Sequence, residues 1–333
     1  MIIDVHTHIV PEHFPPVGGR TAGAVWPSMD HTAPGAANVM INGTNYRTVY
    51  ANCWDVPTRM AAFPSEGVDR HVLSPMPRLL DYNLSPSDGL DLARYLNEVI
   101  GKMVADAPDR FYGLGSVPLQ DPARATQELS RLRDYGLLGI EVSTNIAGKN
   151  LGDPVFRPFL KEVERLGLAI FSHAQFPTYR DRLPGTMTEN SVAFPIENAL
   201  ALASVIIQGV FEDCPDLRIC FSHGGGVFPF MLPRIENQWQ GAGPFRQALP
   251  KSPAEYARMA YYDDVLFDNR ALRYLVDVMG TSQVVVGSDF PFGGTWRSRV
   301  HADDEFDALE LTPAEREAIG SANALRFLGL DHA

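Results

Sequence analysis

The chain has 333 residues, of which 45% are hydrophobic and 20% charged, and its formal net charge is −12. These proportions are typical of a globular protein with a sizeable core. There is no basic run, so nucleic acid and anionic membrane surfaces are not expected partners. A small anionic ligand is still compatible with this charge, because a few arginines can attract it locally.

The three cysteines indicate neither a disulfide framework nor a thiol active site. Cys53, Cys214 and Cys220 are an odd number, and none belongs to a C-x-x-C pair. The chain begins on a strand-like segment, and no continuous apolar run reaches the roughly eighteen residues that a membrane span needs. We therefore expect a cytoplasmic protein with reduced thiols.

Predicted strands and helices alternate along the chain. Apolar or β-branched runs predict eight strands, at 2–6, 71–76, 111–117, 138–143, 168–173, 218–223, 264–268 and 283–288. Amphipathic patterns between them predict helices that include 88–106, 122–134, 155–166 and 270–279. An N-cap signal at Asp121-Pro122 and C-terminal signals at Gly167 and Gly280 support three of these helices. Eight strand–helix units in a chain of this length predict a (β/α)8 TIM-type barrel.

An open doubly wound sheet is the alternative architecture. It usually has a glycine-rich phosphate-binding turn after its first strand, whereas this chain has His6-Thr7-His8 there, which favours the barrel. No change of composition marks a second domain, so residues 1–333 are interpreted as a single barrel domain. The segment 11–50 is rich in Pro, Gly, Ala and Asn and is long for a strand–helix loop. It predicts a hairpin or lid over the barrel mouth.

Metal-ligand residue types recur at the ends of predicted strands. His6 and His8 are two residues apart, so on a strand both point to one side, at the end of the barrel where catalytic groups lie. His173, His223 and Asp289 close the fifth, sixth and eighth predicted strands. An H-x-H pair alone also fits two surface histidines, but apolar runs that each end in a potential ligand are hard to explain by core packing. The pattern predicts a metal site.

The lysines indicate how many metal ions to expect. Two-metal barrels often use a carboxylated lysine on a central strand as a bridge. None of the lysines of this chain ends a predicted strand: Lys102, Lys149, Lys161 and Lys251. We therefore predict one divalent ion, with Zn²⁺ favoured and Mn²⁺ as the other candidate. Five histidines outside the pattern are expected to be structural or solvated: His13, His31, His71, His301 and His332.

A series of short motifs runs through nearly the whole chain. They are D-x-H-x-H at 4–8, N-Y-R-x-V-Y at 45–50, W-D at 54–55, V-P-L-Q-D at 117–121, L-G-I at 138–140, C-F-S-H-G-G-G at 220–226, R-I-E-N-Q-W at 234–239, G-S-D-F-P-F at 287–292 and N-A-L-R-F at 323–327. Together they resemble the amidohydrolase superfamily, and within it the decarboxylase branch that acts on carboxymuconate semialdehydes and γ-resorcylate-type hydroxybenzoates.

The resemblance implies roles for five residues of the predicted metal centre. The family's metal ligands match four residues of this chain: His6, His8, His173 and Asp289. The resemblance also implies a catalytic role for Asp289. His223 matches the catalytic acid/base that stands beside the metal-bound water.

The resemblance also implies how a small carboxylate substrate is bound. Arg47 matches an arginine that holds a substrate carboxylate, and Phe292 matches an aromatic that lines the pocket. Arg234 matches one that reaches the neighbouring subunit's site, which implies a homodimer. Two departures put the substrate in question. Ala174-Gln175 replaces a Pro that is often followed by an aromatic, which makes Gln175 a substrate-binding candidate, and a polar residue near Asn190 replaces a pocket tryptophan.

The implied activity is non-oxidative decarboxylation of a small unsaturated or aromatic carboxylic acid. A metal, a water, a histidine and an aspartate serve hydrolysis equally well. A hydrolase or hydratase acting on a lactone, an amide or a C–C bond is therefore the alternative, and a barrel that only binds a ligand is a third. The arginines and the match at 45–55 favour the decarboxylase.

Overall fold

A computed structural model describes residues 1–16, 18, 20, 25–185, 188–241, 243–293 and 311–331. Two of the histidines set aside above, His301 and His332, lie outside these residues. The described strands are β1 Ile3–Ile9, β2 Pro27–Ala33, β3 Ala36–Ile41, β4 Thr44–Tyr50, β5 Arg70–Pro75, β6 Phe111–Gly115, β7 Gly139–Ser143, β8 Asn145–Ile146, β9 Lys149–Asn150, β10 Ala169–His173, β11 Arg218–Phe221, β12 Tyr261–Asp263 and β13 Val284–Val285.

Eight parallel strands form the barrel, in the order β1-β5-β6-β7-β10-β11-β12-β13. The two ends of this sheet meet. Val5 N donates to the Val286 carbonyl at 2.9 Å, and His8 N donates to the Phe290 carbonyl at 2.7 Å. The first and last strands are therefore joined, and the predicted (β/α)8 barrel is confirmed.

Helices connect the strands around the barrel. The described α-helices are α1 Val56–Met60, α2 Phe63–Glu66, α3 Pro86–Asp106, α4 Pro122–Glu128, α5 Arg157–Arg165, α6 Phe194–Ile207, α7 Val210–Asp213, α8 Phe228–Gly241, α9 Gly243–Ala248, α10 Pro253–Ala257, α11 Asn269–Met279, α12 Pro313–Glu317 and α13 Asn323–Leu328. The predicted start of α4 is confirmed, since the Asp121 carboxylate accepts from Arg124 N with Pro122 at the first helical position.

Seven of the predicted strands overlap the observed ones, but the seventh was wrong. The prediction placed it at 264–268, whereas the structure has β12 at Tyr261–Asp263. Its neighbours fix this register, because Cys220 is opposite Tyr261 and Asp263 is opposite Val285. The apolar run after Asp264 was taken for the strand, but it is the loop that leaves the barrel.

The insertion after β1 contains a three-stranded antiparallel sheet, β2-β3-β4. Its strands pair in sequence order, with Met29 opposite Val39 and Val39 opposite Arg47. Val39 and Val49 are buried in one cluster with Val10, whereas the outer face is polar. This packing presents Tyr46 and Arg47 to the site described below.

One helical segment, Glu189–Ile207, is long and apolar enough on average to cross a membrane. It is not a continuous apolar run of the kind that the sequence analysis considered, because polar residues interrupt it at Glu189, Asn190, Glu197 and Asn198. Leu202, Val205 and Ile206 of this segment are buried in the main core. Glu197 and Asn198 are buried as well. These contacts are those of a barrel helix packed on its strands.

Candidate metal centre

Four side chains meet at the carboxyl ends of the barrel strands. One ligand atom from each of His6, His8, His173 and Asp289 lies within 4.8 Å of all the others. The Nε2 atoms of His6 and His8 are 3.1 Å apart. Oδ1 of Asp289 lies 3.5 Å from Nε2 of His6 and 3.2 Å from Nε2 of His8. The structure thus brings together the four predicted ligands.

The hydrogen bonds of the imidazoles show which nitrogens are available to a metal. Nδ1 of His6 is paired with Asp263 at 2.6 Å, Nδ1 of His8 with the Pro75 carbonyl at 3.1 Å, and Nδ1 of His173 with the Ala174 carbonyl at 2.8 Å. All three Nε2 lone pairs therefore converge. Nε2 of His173 is buried without a hydrogen-bond partner in the described part of the chain.

Lone pairs that face one another at such distances repel unless a cation lies between them. The charges around His8 favour a cation too. Burial lowers the pKa of His8, but the carboxylates of Glu141 and Asp289 outweigh burial and raise that pKa to about 9. Three imidazole nitrogens and one carboxylate oxygen suit Zn²⁺ or Mn²⁺. His6, His8, His173 and Asp289 thus form a divalent-metal site.

Asp263 is a functional residue that the sequence interpretation missed. Its Oδ2 holds Nδ1 of His6, and its Oδ1 accepts from Gly224 N at 3.1 Å and from Val265 N at 3.2 Å. One carboxylate thus orients a metal ligand and the backbone next to His223. The sequence interpretation placed the seventh strand too late and therefore did not consider Asp263. A strand that ends in Tyr261-Tyr262-Asp263 has the same pattern as the others, an apolar run followed by a possible ligand or acid.

A second carboxylate, Glu141, lies inside the barrel on β7. It is fully buried, and its Oε2 is 3.7 Å from Nδ1 of His8. Within the described residues, neither of its oxygens has a hydrogen-bond partner. A buried carboxylate without a partner is unfavourable unless a positive charge lies nearby. The negative potential of Glu141 therefore stabilises a cation held by His8. It was not recognised in the sequence, because a single acidic residue inside a short strand carries no distinctive pattern.

The loop after β11 gives His223 its position. Four successive residues have a positive φ: 52° at His223, 61° at Gly224, 73° at Gly225 and 64° at Gly226. A Cβ atom at Gly226 would lie 1.9 Å from the Pro195 carbonyl oxygen, so the turn requires glycine there.

The turn places the His223 ring 5.2 Å from the His6 ring and 5.3 Å from the His173 ring. Burial and the neighbouring His6 lower the pKa of His223. A protonated His223 imidazole is therefore a stronger acid here than in water.

A cavity of about 570 Å³ opens directly above the cluster. It is lined by six of the predicted residues, namely Arg47, His173, Gln175, His223, Asp289 and Phe292, and by Asn190, where the motif comparison indicated a departure. The guanidinium of Arg47 lies 4.3 Å from the Phe292 ring centre. Phe292 in turn stacks on His8 at 6.0 Å. Arg234 is exposed on α8 and is not among the cavity-lining residues that the structure describes.

Comparison with known proteins decides the family. The model of the amidohydrolase family matches residues 3–330. The chain belongs to this family. Over 331 residues, this amidohydrolase is 38% identical to the 2-amino-3-carboxymuconate-6-semialdehyde decarboxylase of Dictyostelium discoideum, and the alignment covers 99% of the chain and 92% of that relative.

Solved structures agree with this assignment. The crystal structure of a 2,6-dihydroxybenzoate decarboxylase with 2,6-dihydroxybenzoate bound is 27% identical, with a TM-score of 0.69, and the match covers 82% of this chain and 88% of that one. A dihydroxybenzoic acid decarboxylase from Polaromonas sp. JS666, solved with manganese and 2-nitroresorcinol, has the same fold, with a TM-score of 0.73 at 21% identity over 100% and 98% of the two chains. The predicted class, a metal-dependent decarboxylase of the amidohydrolase family, is confirmed.

Proposed function

We propose that this amidohydrolase removes CO2 from a small unsaturated or aromatic carboxylic acid, of the carboxymuconate semialdehyde or hydroxybenzoate type. The observation that carries the proposal is the placement of Arg47. Its guanidinium lines the cavity, and no carboxylate of the described residues pairs with it. Arg47 lies over the Phe292 ring, and Phe292 stacks on the metal ligand His8. A cationic fork beside a metal site is suited to a carboxylate.

The charge of the cavity supports an anionic substrate. Among the described residues, two arginines, Arg47 and Arg78, line it, together with a single acidic side chain, Asp289, which belongs to the ligand cluster. With a bound divalent cation, the charges of these residues sum to a positive value, although the whole chain carries −12. The cavity also has the size of small-molecule sites, which span roughly 300–1,000 Å³.

Decarboxylation sets two chemical demands. The C–C bond breaks and its electron pair stays on the substrate carbon, so that carbon needs a proton when CO2 leaves. The negative charge that develops must also be stabilised. A divalent metal, when bound, supplies positive charge that holds substrate oxygens and lowers the energy of the anion. His223 lines the cavity beside the ligands, and we assign it the delivery of the proton to the carbon.

Arg234 supports a functional homodimer. It is exposed on α8, and neighbouring residues Phe230 and Met231 expose 82% and 39% of their surface. We propose that this face meets a second copy of the chain and that Arg234 reaches the partner's cavity.

The identity of the ion belongs to the proposal as well: we infer Zn²⁺, because a three-histidine, one-aspartate set suits it, although manganese occurs in a relative. We also place the protein in the cytoplasm, since its three cysteines are free.

One experiment tests the activity and separates it from the alternative. The purified protein is analysed for bound metal, and CO2 release is then measured on amino- and hydroxy-substituted carboxymuconates and benzoates. One CO2 per substrate consumed is the expected result. Hydrolysis of a lactone or an amide without CO2 release would show that the hydrolase alternative is correct.

A further inference from the structure

Arg78 is a cavity residue for which the functional roles above do not account. It lies in the turn Pro77–Leu79, directly after β5, at the end of the barrel where the metal ligands lie. Its side chain lines the cavity and is only 14% exposed. Charged side chains with so little exposed surface are uncommon in proteins, so the position of Arg78 calls for an explanation.

The neighbours of Arg78 fix its orientation. Its Nη1 donates to Oδ2 of Asp81 at 2.7 Å, and Oδ1 of Asp81 accepts from the backbone and side-chain nitrogens of Asn83, both at 3.0 Å. The guanidinium lies 4.7 Å from the ring centre of Phe176 and 6.0 Å from that of Tyr46. Arg78 is therefore held in place between the turn, the loop after β10 and the insertion sheet.

Asp81 uses only part of the hydrogen-bonding capacity of Arg78. A guanidinium has five N–H donors, and the one hydrogen bond that Arg78 makes within the described residues is the bond to Asp81. The remaining donors belong to a group that lines a cavity. Leaving such donors without acceptors is unfavourable when a ligand displaces the water there, so they suit an anionic acceptor on the ligand.

The two cavity arginines have different surroundings. Arg47 stacks on Phe292, which stacks on the metal ligand His8. Arg78 instead contacts Phe176 and Tyr46. A substrate with only one carboxylate, bound at the metal and Arg47, would leave the remaining donors of Arg78 without an acceptor.

We propose that Arg78 forms a second anion-binding subsite, which holds the carboxylate that a dicarboxylic substrate of the carboxymuconate type retains. The carboxylate that leaves as CO2 lies at the metal and Arg47, and the retained carboxylate binds Arg78. This inference rests on the proposed decarboxylase activity for the fate of the first carboxylate, but the subsite itself can be tested by binding alone.

The test measures dissociation constants by calorimetry on the metal-loaded protein. The ligands are 2-hydroxybenzoate and three dicarboxylates that add a second carboxylate at different ring positions: 2-hydroxyisophthalate, 4-hydroxyisophthalate and 2-hydroxyterephthalate. We expect at least one dicarboxylate to bind the unaltered protein about tenfold or more tightly than 2-hydroxybenzoate. In Arg78→Met this preference falls to about twofold or less, while the affinity for 2-hydroxybenzoate is kept.

Two further variants separate ligand binding from a purely structural role. Asp81→Asn removes the charge of the ion-pair partner but keeps an oxygen that can accept from Nη1 of Arg78, so Arg78 stays oriented and we expect the preference to be kept. Arg94→Met removes a comparable ion pair, with Glu128 at 2.6 Å on the outside of the barrel, and should also keep it. Unfolding temperatures of all variants establish that they are folded.

The outcomes are distinct for the subsite and for the decarboxylase. The subsite is wrong if no dicarboxylate is preferred, if Arg78→Met retains the preference, or if Asp81→Asn loses as much of it as Arg78→Met does. CO2 release is followed in the same samples and in the wider substrate screen. An Arg78-dependent preference without CO2 from any acid would contradict the decarboxylase and leave the subsite intact.

Discussion

Nδ1 of His6 and Oδ2 of Asp263 are 2.6 Å apart, and neither side chain has any exposed surface. The two residues are 257 positions apart in the chain: His6 lies within the first barrel strand, and Asp263 ends the seventh. Asp263 fixes the His6 tautomer with a proton on Nδ1, which leaves Nε2 as a lone pair for the metal. The barrel thus creates a carboxylate–histidine–metal arrangement from two remote segments.

Replacing Asp263 by Asn should weaken the metal site. The amide has no negative charge to raise the basicity of His6, so we expect metal affinity to fall about 10- to 100-fold. Competition with a chelator of known affinity measures this loss. Asp268→Asn is the control, because Asp268 caps α11 near the surface and pairs with Arg270. Equal metal affinity in Asp263→Asn and the unaltered protein would show that Asp263 does not support the ligand.

Replacing His223 should remove turnover and leave the metal in place. Asn is the suitable replacement, because it tolerates the positive φ of 52° at this position better than other residues do. Loss of the proton donor should reduce kcat by about 10²- to 10⁴-fold. Metal content per chain, measured by elemental analysis, should match that of the unaltered protein. A variant that has lost its metal would identify His223 as a ligand instead.

Replacing Arg47 by Met should mainly impair substrate capture. A charge-assisted hydrogen bond contributes about 1.5–3 kcal/mol, so kcat/KM should fall about 10- to 100-fold. Arg47→Lys should recover only part of this loss, since an ammonium group cannot form the paired contact. Steady-state kinetics on the substrate found in the CO2 screen provide the measurement. Unchanged kcat/KM in Arg47→Met would exclude the proposed carboxylate contact.

The pH dependence of stability should contain a contribution from His71. This buried imidazole accepts a hydrogen bond from Nε of Arg59 at 3.2 Å. Burial and the charge of Arg59 lower the pKa of His71 well below its usual value. In the unfolded chain His71 binds a proton near pH 6.5, whereas in the folded chain it stays neutral at that pH. The folded state therefore loses stability as the pH falls below about 6.5.

The contribution of His71 should amount to about 1 kcal/mol between pH 6.5 and 5.5. His71→Gln keeps an acceptor for Arg59 but has no titrating group, so its unfolding free energy should depend less on pH by this amount. Urea unfolding at pH 7.5, 6.5 and 5.5, with the same metal loading in both proteins, makes the comparison. Parallel pH profiles of the two proteins would mean that His71 is protonated in the folded state.

The sequence patterns predicted the barrel and a metal site because both depend on short-range periodicity, whereas the division into four ligands and His223 came from the family resemblance. His6 and His8 share a strand face, and a polar residue at the end of an apolar run identifies the active end of a parallel strand. The same reasoning placed the seventh strand a few residues late. Val265 and Leu266 have the composition of a strand, and only pairing with β11 and β13 selects Tyr261–Asp263.

Local sequence therefore determined which residues can bind a metal, because these residues lie within or directly after short apolar strands: His6 and His8 in β1, His173 at the end of β10 and Asp289 after β13. The tertiary structure decided what surrounds them. Asp263 and Glu141 support the histidines from other strands, and Arg78 comes into the cavity from the turn after β5. Such contacts join segments far apart in the chain, and their distances are set only when the barrel closes between β1 and β13.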